Sequence, residues 1–582
     1  MLEIILVWVY IFFTSYAVGG MVMDSLVYRN DRKNSDSRLS YTLLTSLTGL
    51  IVIMVIAGYM SLFLKTGLVI NVLLCSFSLY YYFIRRKNLP YLKYTVKNNE
   101  LSLIIRNLFL LIAFILILVK AAGPINNPDT GAYHLPMVKW IENYKVIKGL
   151  VNIHSRLGFN YQYELLCAVY GLAFLKGSTI HAMNGYFMLV TVLYLVGTLS
   201  FYRTKKLSSL DFIKLVILFF VMNMNNAVSS FSPDFPAAAL VIIVLLLVLK
   251  KFYDGSLYAF DEIGKLAFLF TIGSVLFKIS SAPVFLFCLF FLLPLLKRNY
   301  KTVGILFITV ILCLLPYFIR NYYTSGYLIY PLYSLDLFDP VWKVNMEQVI
   351  FEKDIIRYWA LNVPYGQPLP TGKALFATWI SYLKISNTAY IYLMGLLGVC
   401  VLISIGILVR KLFLRQYDYV WLCLLFYICL GYWWYNAPDP RFGIGFILPF
   451  IGIVLTVSAK MLIKNIPSVF TNSTLMVLIL LCIMMIKGKA IGEVPNSYDK
   501  ISYNLLTPPP YIPSKTVNLG TEAKPSWYAI SSDTSYCWEA CLPCSYQQDK
   551  YEYLGDKVED GFKHVDGEIV VTDSLRKIYF HK

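Results

Sequence analysis

The chain is short of charge. Asp, Glu, Lys and Arg make up 14% of its 582 residues, whereas 58% are hydrophobic; soluble domains carry about 25% charged residues. That shortage excludes an ordinary soluble globular protein. No Walker or GxGxxG motif occurs in the short basic loops, so no ATP- or nucleotide-sugar-binding domain is expected there. No internal repeat is apparent, which argues against an inverted-repeat transporter. The first apolar run has no clear basic n-region before it and no small-residue cleavage site after it. It therefore reads as a membrane helix, not as a removable leader.

What the chain has instead is apolar runs of the length that crosses a hydrocarbon core about 30 Å thick. Fourteen are recognisable: 2–22, 43–64, 68–84, 101–119, 182–202, 212–230, 235–250, 265–280, 282–296, 303–320, 389–409, 420–436, 446–462 and 472–487. The net charge of +18 is not a nucleic-acid patch, because the basic residues follow alternate runs. Arg29, Arg32, Lys33 and Arg38 follow the first; Arg85, Arg86, Lys87, Lys93 and Lys97 the third; Arg203, Lys205 and Lys206 the fifth. Lys250 and Lys251 follow the seventh, Lys297, Arg298 and Lys301 the ninth, Arg410, Lys411 and Arg415 the eleventh, Lys460 and Lys464 the thirteenth. The positive-inside rule then places both termini outside the cytoplasm. The expected fold is an all-α polytopic membrane protein of about 14 transmembrane helices (range 12–14) in a bacterial inner membrane. Residues 1–100 would be N-terminal helices, 101–487 a core with outer loops 120–181 and 321–388, and 488–582 a small extracytoplasmic domain.

Polar chemistry gathers on the outer side. In "PDTGAYH", Asp129, Tyr133 and His134 lie within six residues. The following "HLPMVKWIENYKVIKGLV" has an apolar face that predicts an amphipathic helix along the membrane surface. Asp129 is a candidate functional carboxylate, or a cap for that helix. Asp234 lies in a very short turn, "SSFSPDFPAAAL", near the bilayer surface, where a carboxylate is costly unless paired or used; the alternative is a cap for the next span. Lys278, Arg320 and Arg441 stand at outer helix ends, where snorkelling would explain any single one. Guanidinium forks suit phosphate oxygens. Arg156 and Asn160 are further polar candidates. Glu347, Glu352, Asp354 and Arg357 read as a solvated surface or lid. Eight of the eleven Cys lie in or beside apolar runs; Cys537, Cys541 and Cys544 sit together in the tail. In an oxidising compartment they predict a disulfide, without indicating which cysteine is left over, and a zinc site is the alternative.

Asp129, Asp234 and the segment from Arg320-Asn321 to Tyr330-Pro331 resemble the GT-C class of integral membrane glycosyltransferases, in particular bacterial relatives of the protein mannosyltransferase and aminoarabinose transferase families. The resemblance spans roughly residues 100–460. The class usually carries its first loop after the first span, whereas here three additional spans precede it, and the WWDYG signature of oligosaccharyltransferases is absent. The resemblance implies sugar transfer from a polyprenyl-phosphate donor to a hydroxyl of a glycan, lipid or protein acceptor at the outer membrane face. Asp129 would be the base, and Asp234 would orient the acceptor, Lys278 or a divalent metal ion, if one is used. Arg320 and Arg441 would hold phosphate, with Asn321, His134, Tyr133 and Arg156 around the substrate. An O-antigen-type polymerase or ligase, and a transporter or flippase, are the competing expectations.

Overall fold

Long apolar runs can bury their backbone polar groups in lipid only as helices or closed barrels, and this chain uses helices. A computed structural model describes residues 1–26, 35–85, 101–125, 127–204, 207–224, 227–462, 506–529, 536–545 and 551–565. Four helices open the chain: α1 (Leu2–Leu26), α2 (Ser35–Met60), α3 (Leu68–Arg85) and α4 (Leu101–Ala121). The segment after α4 holds a π-helical turn, Thr130–His134, then α5 (Leu135–Asn143), α6 (Tyr163–Gly171) and the one-turn α7 (Ala173–Lys176). The core continues through α8 (Met183–Gly197), α9 (Phe201–Thr204), α10 (Ser209–Val221), α11 (Asp234–Tyr253), α12 (Glu262–Phe277), α13 (Phe285–Arg298) and α14 (Tyr300–Ser325). The segment after α14 contributes α15 (Met346–Ala360) and α16 (Gly372–Ser386), and α17 (Thr388–Phe413), α18 (Tyr417–Asn436) and α19 (Pro440–Leu462) complete the bundle.

The result is a mostly helical, polytopic membrane fold. Among the described residues, nine helices are long and apolar enough to cross a membrane. Four of the expected runs form helices outside that set. α8, α10 and α12 are short, at 15, 13 and 16 residues, and α18 is diluted by Tyr, Trp and Asp418. Residues 472–487 lie outside the described residues, as do several of the basic loop residues. α11 is apolar all round and buried from Phe235 to Leu249, which marks it as the central helix; it packs on α12 and α19. α14 is the opposite case, with only 11% of its apolar window buried, as expected of a helix facing lipid.

Helices α1 and α2 form a close pair. A Cβ on Gly19 would lie 1.9 Å from the Thr45 carbonyl oxygen, and one on Gly49 1.8 Å from that of Ser15. Ser15 and Gly19, and Thr45 and Gly49, are each four apart, the small-xxx-small spacing that lets membrane helices touch backbone to backbone. Ser46 Oγ extends the contact, 2.7 Å from both Ser15 Oγ and the Tyr186 hydroxyl.

The expected surface helix is shorter and better covered than the sequence predicts. α5 stops at Asn143, and Tyr144 turns extended at φ −133°, ψ 157°. Leu135, Pro136, Met137, Val138, Trp140 and Ile141 are all buried, because the tail lies over this loop. The tail has a three-stranded sheet of β1 (Thr516–Asn518), β2 (Trp527–Ala529) and β3 (Cys544–Ser545), and a hairpin of β4 (Tyr551–Tyr553) and β5 (Phe562–His564). β1 pairs antiparallel with β2, Val517 opposite Tyr528, and β2 pairs parallel with β3. Lys139 Nζ donates to the Glu539 and Ala540 carbonyls at 2.7 Å, and the Phe562 amide donates to the Lys148 carbonyl at 2.9 Å. Two glycines admit the tail. Gly149 has φ +63°, and a Cβ there would meet the Phe562 carbonyl; a Cβ on Gly131 would meet the Trp538 ring at 2.3 Å. A Cys537–Cys544 disulfide brackets Trp538, and Cys541 is free and exposed.

Substituting Gly49 by Leu should force α1 from α2 and lower the unfolding temperature of detergent-purified protein by several degrees. Gly395→Ala, at a helical position with nothing within 4 Å, should be neutral or slightly stabilising. Equal melting of the two variants would refute the tight pair. A second expectation concerns the tail. Burial pushes the Glu142 carboxyl up to about 8, opposed by a Thr179 hydrogen bond and Lys139 and reinforced by Glu539. A carboxyl raised in the folded state favours folding most below its unfolded value near 4.5, and that advantage is lost as pH rises to about 8. Protease protection of the tail should therefore fall between pH 5 and 8.5 in the natural protein, and Glu142→Gln should flatten the dependence. The same slope in both proteins would assign it to another group.

Candidate functional site

Three carboxylates stand at the starts of helical segments on one end of the bundle, where the helix dipole favours negative charge. Asp129 leads into the π-turn and α5, Asp234 is the first residue of α11, and Asp439 directly precedes α19. Each follows a proline, and Pro128-Asp129, Pro233-Asp234 and Pro438-Asp439 are the three Pro-Asp pairs in the sequence. The first two segments are stitched together through serine. Ser230 Oγ lies 3.1 Å from both Asn127 Nδ2 and Thr130 Oγ1, and Ser229 Oγ donates to the Pro124 carbonyl at 3.2 Å.

Three cations, Lys278, Arg441 and Arg156, meet these carboxylates. Lys278, where α12 ends, pairs with Asp234, and its Nζ sits 3.8 Å from the Phe442 ring centre. Arg441 donates through Nε to Asp439 at 2.9 Å, and its Nη1 lies 3.9 Å from Asp129 Oδ2. Arg156 Nη1 approaches the other Asp129 oxygen at 3.6 Å, and its Nε lies 3.8 Å from Glu352. The Arg156 guanidinium also lies 5.2 Å from the Tyr133 ring centre, and that of Arg441 lies 4.9 Å from the Trp359 ring centre. Asp129 thus sits between two arginines and makes no short carboxylate bond among the described residues. It is 31% exposed, against 0% for Asp439 and 2% for Glu352.

Asp129 does not cap the helix with its side chain, so that alternative falls away. Asp234 is engaged by Lys278, and its backbone amide donates to the Ser232 hydroxyl oxygen at 3.3 Å. Burial and the neighbouring Asp129 charge push the Tyr133 phenol well above its ordinary value, keeping it a donor. His134 is 2% exposed and holds Glu164 through Nδ1 at 2.8 Å, a structural histidine behind the cluster. Burial, together with Arg156, pushes His154 down to about 3, so it is neutral and accepts the Arg156 amide at 3.1 Å. Arg320 departs from expectation. Its Nε and Nη1 are taken by Asn160 Oδ1 and Ser61 Oγ at 2.9 and 2.8 Å, and it is 2% exposed; it braces α14 against α2 and is not brought to the carboxylates. Asn321 is fully buried and bonds the Leu328 carbonyl, closing its own helix end. Cys537, Cys541 and Cys544 lie in the tail over this loop.

The segment between α14 and α17 is solvated in part, with Glu347 exposed and Asp354 and Arg357 half-buried, but Glu352 is not on its surface. Glu352 is buried against Ser155 and Arg156, and burial raises its carboxyl despite both partners. From α16, Trp379 donates to the Pro438 carbonyl at 2.8 Å and Tyr382 to Asp439 Oδ2 at 2.6 Å. Asp439, Tyr382, Trp359 and Glu352 were missed as site residues; the repeated Pro-Asp pair was the signal that could have found Asp439.

Where α11, α12 and α19 meet, a cavity of ≈ 10 Å³ is lined by Asp234, Lys278, Ser280, Ser281 and Arg441 at its polar end, and by Ala237, Ala238, Val241, Phe442 and Phe446 beyond. It is the size of one water, so any larger group enters by displacing side chains. Among the described residues no three His, Cys, Asp or Glu side chains converge on a metal position, and each carboxylate already faces an arginine or lysine. This donor set does not fit a divalent ion.

Fold and site together define a polytopic membrane protein with a carboxylate–arginine cluster at one end of its bundle. Residues 1–448 match the family described as "Domain of unknown function (DUF8201)", and the chain belongs to that family. No curated protein and no solved structure matches it.

Asp439→Ala would remove the short partner of Arg441 and leave the Tyr382 hydroxyl without its acceptor. It should lower the melting temperature by several degrees, and Tyr382→Phe should lower it less. Unchanged melting in Asp439→Ala would mean that Asp439 does not organise Arg441.

Proposed function

We propose that this protein is a membrane glycosyltransferase that moves a sugar from a polyprenyl-phosphate donor to the hydroxyl of a cell-envelope glycan, lipid or protein acceptor. The observation that carries this reading is the state of Asp129. It is the most exposed carboxylate of the cluster, at 31% against 21% for Asp234, and two arginines approach it at 3.6 and 3.9 Å without closing over it. A general base needs that combination, oriented by its neighbours but still open to a proton.

In the proposed step the acceptor oxygen attacks the anomeric carbon and its proton passes to Asp129. The bond from the anomeric carbon to the phosphate oxygen breaks, and the electron pair leaves with polyprenyl phosphate. Arg441 and Lys278 would stabilise the charge that develops on that phosphate. The lining there, polar at one end and apolar beyond, would suit a phosphate on a lipid chain once side chains move to admit it. Arg156, fixed by Glu352 and Tyr133, would orient Asp129. Asp234 would hold Lys278, and Arg320 would brace the scaffold.

The orientation is part of the proposal. The helix ends bearing Arg85, Lys250, Lys251, Lys297, Arg298, Arg410, Lys411 and Lys460 lie away from the cluster. The positive-inside rule makes that end cytoplasmic, and the cluster, the tail and the start of α1 extracytoplasmic, in a bacterial inner membrane.

Asp129→Asn preserves shape but not basicity, so single-turnover transfer should fall about a hundred-fold or more with donor binding little changed. Arg441→Ala should instead weaken donor binding about ten- to a hundred-fold. Near-normal transfer by folded Asp129→Asn protein would remove Asp129 as the base.

A further inference from the structure

The same two helices that carry the carboxylate cluster at their N-terminal ends enclose a second space at their C-terminal ends. There α11 and α19, the end of α17 and the starts of α10 and α18 line a cavity of ≈ 620 Å³. The 20 residues of α11 separate the two sites by about 30 Å, one hydrocarbon thickness.

Four cations line this cavity: Arg410, Lys411, Arg415 and Lys460. Its one lining carboxylate, Asp418, accepts the Tyr258 hydroxyl. Lys411 Nζ donates to Gln416 Oε1 at 2.5 Å and lies 5.4 Å from the Tyr419 ring centre, and Lys460 lies 6.0 Å from that of Tyr253. Arg410, Arg415 and Lys460 form no ion pair among the described residues. Basic residues at helix C-termini ordinarily neutralise the dipole, which accounts for one or two per helix. It does not account for four converging on an open space walled by Tyr253, Tyr417 and Tyr419. The rim is apolar as well as basic, with Leu412, Phe413, Leu414 and Tyr417 exposed.

We propose that this cavity binds the phosphate of an anionic membrane lipid at the face opposite the Asp129 cluster. The volume suits a headgroup. The two guanidinium forks match phosphate oxygens, and the lysines add point charges. The exposed apolar rim would lie against the first carbons of the lipid, which is why a lipid-borne phosphate is favoured over a soluble phosphate compound.

The test uses the full chain purified in a neutral detergent and native mass spectrometry with phosphatidylglycerol, phosphatidylcholine and inorganic phosphate. Phosphatidylglycerol should be retained at least about tenfold better than phosphatidylcholine. Arg415→Gln should weaken retention about tenfold, and the combined Arg410→Gln, Arg415→Gln, Lys460→Gln variant more. Lys176→Gln, which removes a cation paired with Glu3, should change nothing. Failure of inorganic phosphate to displace the lipid at hundredfold excess supports the lipid assignment. Displacement at comparable concentration overturns it in favour of a soluble phosphate compound. No preference over phosphatidylcholine, or unchanged retention in the variants, overturns the site itself. Melting curves check folding, and the single Arg415 substitution in an exposed turn keeps the test decisive should the triple variant unfold.

Discussion

Carboxylates at the ends of apolar helices need cations beside them, and much of this end of the bundle follows from how those cations are supplied. Asp234 begins α11 and Asp439 directly precedes α19, and each is held by a cation, from another segment for Asp234 and from two residues further along for Asp439. Lys278 comes from the end of α12 and Arg441 from the first turn of α19. Arg156 comes from the first outer loop and brings in Glu352 from α15. Segments far apart in sequence are thus drawn together by charge balance where the apolar contacts of the bundle end. The balance is uneven: Asp439 and Asp234 are tightly held, whereas Asp129 faces its two arginines at 3.6 and 3.9 Å. The proposed base is thus the carboxylate that is held least tightly.

The tail and the second outer loop serve the same end by different means. The tail covers α5 and seats Trp538 on Gly131, two residues beyond Asp129, so it fixes the backbone of the loop. The second loop works through side chains: Trp379 and Tyr382 hold Pro438 and Asp439, and Trp359 lies against Arg441. Both elements pack on the segments that carry the cluster, and Asp129 keeps 31% of its side chain exposed. Deep in the bundle the contacts are different in kind. α1 meets α2 through glycines and serines, and α11 is enclosed by apolar side chains on all sides.

The helical, polytopic character of the fold was legible because membrane helices announce themselves by length and apolarity. Runs such as 101–119 and 389–409 became α4 and α17 with little shift of boundary. α8, α10 and α12 were harder to place, since a short buried helix and a crossing helix share the same local pattern. In the site, Asp129, Asp234, Lys278, Arg441 and Arg156 could be singled out because each breaks an apolar or uncharged setting. Arg320 broke its setting equally, yet its partners Asn160 and Ser61 lie 160 and 259 residues away, and pairing over such distances leaves no trace in the local sequence. Glu352 looked like an ordinary surface residue for the same reason: its burial depends on Ser155 and Arg156 from the other loop.

The central claim is that the protein breaks the bond between a sugar and a polyprenyl phosphate. The most direct measurement incubates purified protein in liposomes with radiolabelled polyprenyl-phosphate sugars and an envelope acceptor fraction, and follows released polyprenyl phosphate alongside labelled product. The account predicts release of one polyprenyl phosphate for each sugar transferred, for at least one donor of the panel. Donor that stays intact throughout, with folded protein and acceptor present, would contradict it.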